Sequence, residues 1–145
     1  MYEKLSSNFY DVKDLSIEEV GELIGGKVEW NIKHGYFKNA CAIRMLYAFN
    51  YSGIEIDKND GATSSGRDGY WYLYRVADFI NYLKRNYDYE SSDDIEDFNG
   101  KEGVIVFNDC GWNDATGHID LFDGESVEGK DYSNVAKEII LFEVD

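Results

Sequence analysis

The 145 residues contain two thiols, Cys41 and Cys110, and two imidazoles, His34 and His118. A thiol attacks as its thiolate, and a helix N-terminus or an adjacent histidine favours that form. Cys41 falls in the first turn of a helix read from about Asn39 to Asn50, with Gly53 shortly beyond. Ala42, Met45, Leu46 and Phe49 recur there at i, i+3, i+4 and i+7, a buried helical face. Main-chain N–H groups at a helix start lack intrahelical partners and lie at the positive end of the dipole. They suit both a thiolate and the oxyanion that forms when an amide carbonyl is attacked. Cys41 is therefore the expected nucleophile. His118 follows Gly117, opens the strand-like run 117–122, and is the expected base. The polar, glycine-rich stretch 111–117 is a loop suited to leaving a cleft open. A buried structural cysteine and a satisfied strand histidine are the bland alternatives.

A third group should accept a hydrogen bond from the imidazole and fix its tautomer. A hairpin turning around Asp123-Gly124, with a return strand through about Asp131, offers a way to choose it. A two-residue loop sets Gly129 opposite His118, a three-residue loop Lys130, and the four-residue loop 123–126 sets Asp131 there. Only the last brings a carboxylate across, so Asp131 is the expected partner. Asp120 shares the face of His118 but lies about 7 Å further along the strand, and Glu128 needs a bulge; both stay as alternatives.

The elements that must carry these residues are legible in part. Ser16 and Glu19 stand at capping-box spacing, with Leu15 and Val20 placed for a hydrophobic staple, and Gly25-Gly26 ends that first helix. Asn39 is an N-cap candidate for the second helix and also a candidate substrate contact. A third helix is expected within Arg75 to Asn86, preceded by a short extended piece at Tyr70 to Tyr74. Strands are expected at 103–107, 118–122 and 138–144. Helices followed by antiparallel strands make an α+β chain, read as one domain covering 1–145. The acidic run Glu90 to Asp97 reads as a solvated loop.

Other residues carry less. Cys110 follows a strand end and lacks a helix dipole; a Cys41–Cys110 disulfide would silence the chemistry. His34 reads as a surface-loop residue, and Arg44 as half of a structural salt bridge. Trp112 is either a groove wall for a peptide or a half-buried core residue.

Composition excludes several classes. A formal charge of −15, with 29 carboxylates against 14 cations, repels a phosphate backbone, so no nucleic-acid partner is expected. No stretch approaches the ~20 apolar residues of a membrane span, so no membrane insertion is expected. Met1 to Leu5 shows no basic start leading into an apolar run, so signal-peptide export is not expected. No Cys/His spacing suggests a metal, and no cofactor is expected.

The segments Ile24-Gly25-Gly26-Lys27-Val28, Gly35 to Met45 and Tyr72-Leu73-Tyr74-Arg75-Val76 resemble those of type VI secretion amidase effectors of the fourth family. So do Gly111-Trp112 and Gly117-His118-Ile119-Asp120-Leu121-Phe122-Asp123-Gly124, in the same order, over roughly residues 20 to 125. The resemblance implies a papain-like fold of the NlpC/P60 type, with N-terminal helices packed on an antiparallel sheet. It also implies a cysteine DL-endopeptidase that cuts the γ-D-glutamyl–meso-diaminopimelate bond of the peptidoglycan stem peptide. Such an enzyme is delivered without a signal peptide into the periplasm of a target bacterium, and a cognate immunity protein protects the producer. Carried over by position, the nucleophile falls on Cys41, the base on His118 and the third member near Asp131. The cysteine pair that family members often carry after the histidine strand is missing here. Competing readings are an inactive wall-binding or partner-binding module on the same scaffold, and a cysteine acyltransferase.

Overall fold

The structure, a computed structural model, describes residues 1–37, 40–111 and 117–144. The chain divides into two units, Glu3–Phe79 and Met1–Tyr2 together with Ile80–Asp145.

In the first unit, α1 (Tyr2–Tyr10), whose first residue belongs to the other unit, is followed by α2 (Ile17–Ile24), α3 (Gly26–Lys33) and α4 (Ala40–Tyr51). The start of α2 is the expected capping box: Ser16 Oγ accepts from Glu19 N at 3.1 Å, and Glu19 Oε1 accepts from Ser16 N at 3.0 Å. Gly25 and Gly26, at φ 71° and 62°, then reverse the chain into α3. A Cβ on Gly26 would stand 2.7 Å from Arg67 N, so the close approach of this turn to the 65–67 loop also requires glycine. Helix α4 is buried on nearly every side, half-buried Arg44 and exposed Tyr51 being the exceptions. The Arg44 guanidinium donates to Leu15 O from Nε at 3.1 Å and Nη2 at 2.6 Å, a charge-assisted tether rather than the expected salt bridge. Buried Asn50 donates to Trp71 O and accepts from Ile56 N, both at 2.9 Å, fixing the end of α4 to its neighbours.

Strands β1 (Thr63–Ser65) and β2 (Trp71–Leu73) form an antiparallel hairpin, Ser64 opposite Tyr72. Asp68 organises its turn, accepting from Tyr70 N at 3.0 Å, Tyr72 Oη at 2.6 Å and Tyr51 Oη at 3.0 Å. The extended piece at Tyr70 to Tyr74 was legible from sequence; α1, α3 and β1 were not.

Helix α5 (Val76–Asn86) runs from the first unit into the second. The second holds a four-stranded antiparallel sheet from β3 (Tyr89–Ser92), β4 (Gly103–Asn108), β5 (Gly117–Phe122) and β6 (Glu138–Glu143), in the order β3-β6-β4-β5. Two sequence expectations are corrected here. The acidic run is not a plain loop: its start pairs with β6, Glu90 opposite Leu141, and its end forms a 3-10 turn that leads into buried Phe98. The return strand toward Asp131 does not form. After the bridge Phe122↔Val127 and the bond from Glu128 N to Leu121 O at 2.8 Å, regular pairing stops. On one sheet face Ile105, Phe107, Phe122, Ile139 and Leu141 join Phe98 and Cys110 in a buried cluster, with Val127 and Tyr132 packed against it.

Candidate active site

Cys41 is the second residue of α4 and only 8% exposed. Neither cysteine forms a disulfide. At this position main-chain N–H groups have no partner four residues earlier within the helix, the feature that marks Cys41 as a candidate nucleophile. Asn39 and Trp112, the expected substrate contacts, lie outside the described residues.

In the other unit His118 is the second residue of β5, with its side chain 19% exposed. Phe107 stands opposite it on β4, ring planes 15° apart, and Tyr132 meets the imidazole edge-on at a centroid distance of 4.9 Å. His118 Nε2 lies 2.8 Å from Asp120 Oδ2. Asp120 is 1% exposed, and three main-chain donors converge on its carboxylate. Leu121 N at 2.8 Å and Gly129 N at 2.9 Å reach Oδ1, and Lys130 N at 3.0 Å reaches Oδ2. Three N–H donors match an acceptor-only carboxylate, so the imidazole proton in this contact sits on Nε2.

This corrects the expected partner. Asp131 is exposed, and its Oδ1 accepts from Ser133 N at 2.7 Å. The four-residue loop was right, since Phe122 pairs with Val127, but the ladder ends before it reaches the level of His118. The next two N–H groups turn instead onto the Asp120 side chain. Glu128 accepts from the Tyr2 phenol. The distance objection to Asp120 fails because side chains two residues apart share a face and lean along the strand, closing the gap between their Cα atoms. The signal was present as His-x-Asp on one face of one strand.

The structure also gives Cys110 a bland role. Its Sγ donates to Phe107 O at 3.6 Å, and burial, then the neighbouring Asp109 charge, push its thiol above the ordinary range. His34 caps α3, with Nδ1 2.8 Å from Trp30 O. Among the described residues no cluster of three or more His, Cys, Asp or Glu side chains is arranged to hold a metal ion.

Comparison with known proteins places the chain among the amidase effectors of the type VI secretion system. The family whose profile matches, over residues 37–142, is type VI secretion system amidase effector protein 4, Tae4, and the chain belongs to it. The chain is similar to the effector in a Tae4–Tai4 effector–immunity complex from Enterobacter cloacae, with 35% identity, a TM-score of 0.89, and coverage of 99% of this chain and 98% of that one. The Tae4/Tai4 effector–immunity system from Salmonella typhimurium gives 34% identity and a TM-score of 0.85, covering 99% and 98%. Tae4 from E. cloacae gives 35% identity and a TM-score of 0.85, covering 99% and 96%. Comparison with curated proteins gives no match. The α+β class expected from sequence is the one these relatives share.

Proposed function

We infer that the chain is a cysteine DL-endopeptidase acting on the peptidoglycan stem peptide, with 1–145 as one catalytic domain. The bond cut is that between γ-D-glutamate and meso-diaminopimelate, and the place of action is the periplasm of a target bacterium. Cys41 is the nucleophile, His118 the acid–base group, and Asp120 the carboxylate that orients His118. The stem peptide is the substrate. By analogy with the solved Tae4–Tai4 complexes, the producer carries a cognate immunity protein.

The steps balance without a cofactor. The Cys41 thiolate adds to the γ-D-glutamyl carbonyl carbon, and main-chain N–H groups at the start of α4 donate to the oxyanion. His118 gives its Nδ1 proton to the departing diaminopimelate nitrogen as the C–N bond breaks, leaving a thioester. His118 then takes a proton from water, whose oxygen attacks the thioester carbon and expels the thiolate. Asp120 stays ionised throughout, holding the proton on Nε2 and stabilising the imidazolium.

The observation that carries this reading is the buried His118–Asp120 contact of 2.8 Å, fed by three main-chain donors. A carboxylate so enclosed presents the imidazole in one tautomer, as a base serving a thiol needs. Supporting it are the position of Cys41 at a helix start and membership of an amidase effector family. The test is digestion of purified muropeptides, with fragments read by mass spectrometry. The expected products end in a free D-glutamyl carboxylate and a free diaminopimelate amine, and Cys41→Ala yields none. Unaltered cleavage by that variant removes the mechanism.

A further inference from the structure

The Glu3–Phe79 unit contains a cleft of about 800 Å³ that the amidase mechanism does not use. Its size falls within the range of small-ligand sites. Two aromatic side chains on its lining remain largely in water: Trp30 is 52% exposed and Tyr36 is 69% exposed. Their ring planes are 17° apart, with centroids 6.0 Å apart. Trp30 also stacks on His34, ring centroids 4.0 Å apart, and the surface it leaves wet beside Tyr36 makes an exposed aromatic patch of the kind found at binding surfaces.

The walls are already assembled. Asn31 Nδ2 donates to Lys27 O at 2.9 Å and to Ser64 Oγ at 3.2 Å, joining α3 to β1. The Lys58 ammonium sits 5.5 Å from the centre of the Trp71 ring, and Phe37 stacks on Tyr74 at 4.5 Å. The charge of the cleft runs against that of the chain. One residue in five of the sequence is acidic, yet none of the eleven residues lining the cleft is, and two are lysines.

The geometry points to a binding site for a carboxylate-bearing saccharide, the glycan strand of peptidoglycan with its peptide substituents, an assignment that rests on the amidase reading above. A pyranose ring has an apolar C–H face that lies on an aromatic ring, while its hydroxyl and acetamido groups meet hydroxyls and amides such as those of Thr63, Ser65 and Asn31. Lys27 and Lys58 meet the carboxylates of the peptides that the strand carries. A polyphosphate chain fits less well, because every phosphate beyond the two lysines meets the field of a −15 molecule. The cleft therefore holds the polymer while the thiol works on its side chain.

The test uses the full chain with Cys41→Ala, cosedimented with intact sacculi and with chitin, an uncharged bare glycan of N-acetylglucosamine. Adding Trp30→Ala and Tyr36→Ala is expected to weaken retention on both by about tenfold or more, the scale of losing two stacked rings. Lys27→Gln with Lys58→Gln lowers retention on peptide-bearing sacculi and spares bare glycan. With Cys41 intact, the aromatic variant lowers the ratio of kcat/KM on sacculi to kcat/KM on free stem peptide. Unchanged retention overturns the site. An unchanged ratio overturns the saccharide assignment, and weakened binding of the immunity protein with retention intact gives the rings to that partner instead. Equal loss by the lysine variant on sacculi and on chitin overturns the carboxylate part. If the Cys41 enzyme cleaves neither substrate, the amidase reading falls while cosedimentation still decides the cleft.

Discussion

Replacing Asp120 by asparagine separates Asp120 from Asp131, the carboxylate first expected to serve His118. An asparagine oxygen in place of Oδ1 still accepts from Leu121 N and Gly129 N, at 2.8 and 2.9 Å in the native chain. Its NH2 group then takes the place of Oδ2 and faces Lys130 N–H, donor against donor, across what is now a 3.0 Å bond. An orphaned buried donor, together with the loss of charge-assisted bonds, costs on the order of 3 kcal/mol. For a chain of this length that lowers Tm by roughly 10 °C. The rate falls further. The new NH2 donates to Nε2, so the neutral imidazole carries its proton on Nδ1 and is no longer a base there. The equivalent inversion in serine protease triads costs about 10⁴ in kcat, and a loss of about 10³ to 10⁴ is expected here. Turnover of a purified muropeptide, followed by mass spectrometry beside a thermal melt, measures both effects. Asp131→Asn is the control, expected to leave kcat alone because that side chain lies at the surface, where it accepts from Ser133 N. The reasoning is refuted if Asp131→Asn loses the rate while Asp120→Asn keeps it.

Gly129→Ala puts a Cβ 2.3 Å from Asp120 Oδ2; the expected cost is about 1–3 kcal/mol in a melt, with kcat lowered in the same direction as for Asp120→Asn. In iodoacetamide labelling against pH, Cys110 is expected to react only above the ordinary thiol range, because burial and then Asp109 disfavour its thiolate; peptide mapping assigns the site. Asp123 is held below its ordinary value of 3.8 by the Ser126 and Glu125 N–H groups. Its contribution to stability is present above that value and lost as pH falls through the depressed one, so Asp123→Asn should flatten the acid limb of a Tm-against-pH curve.

What could be read from sequence was what local chemistry decides. The Ser16–Glu19 box, the Gly25-Gly26 reversal, the apolar face of α4 and the runs of β4, β5 and β6 each carry their signal within a few residues. Helix α3 was missed because it is eight residues long and mostly polar on its exposed side, with Val28 and Ile32 as its buried contacts. Strand β3 was missed because Tyr89-Glu90-Ser91-Ser92 has no apolar alternation; its pairing is set by β6, some fifty positions away. The third site residue failed for another reason. The four-residue loop, chosen because it alone sets a carboxylate opposite His118, is the one that forms. Loop length says nothing of where a ladder stops, and here the following amides turn onto the Asp120 side chain.

The way β5 finishes bears on how such a protein survives being concentrated. On that side of the sheet Glu128 N occupies the Leu121 carbonyl, and a carboxylate turns the following amides inward. The opposite margin is the four-residue β3, carrying Glu90 and two serines. Neither flank presents the long apolar template on which identical chains stack into fibrils. Each margin of the sheet is thus blunted against edge-to-edge pairing, by a side-chain-held turn on one flank and a short acidic strand on the other.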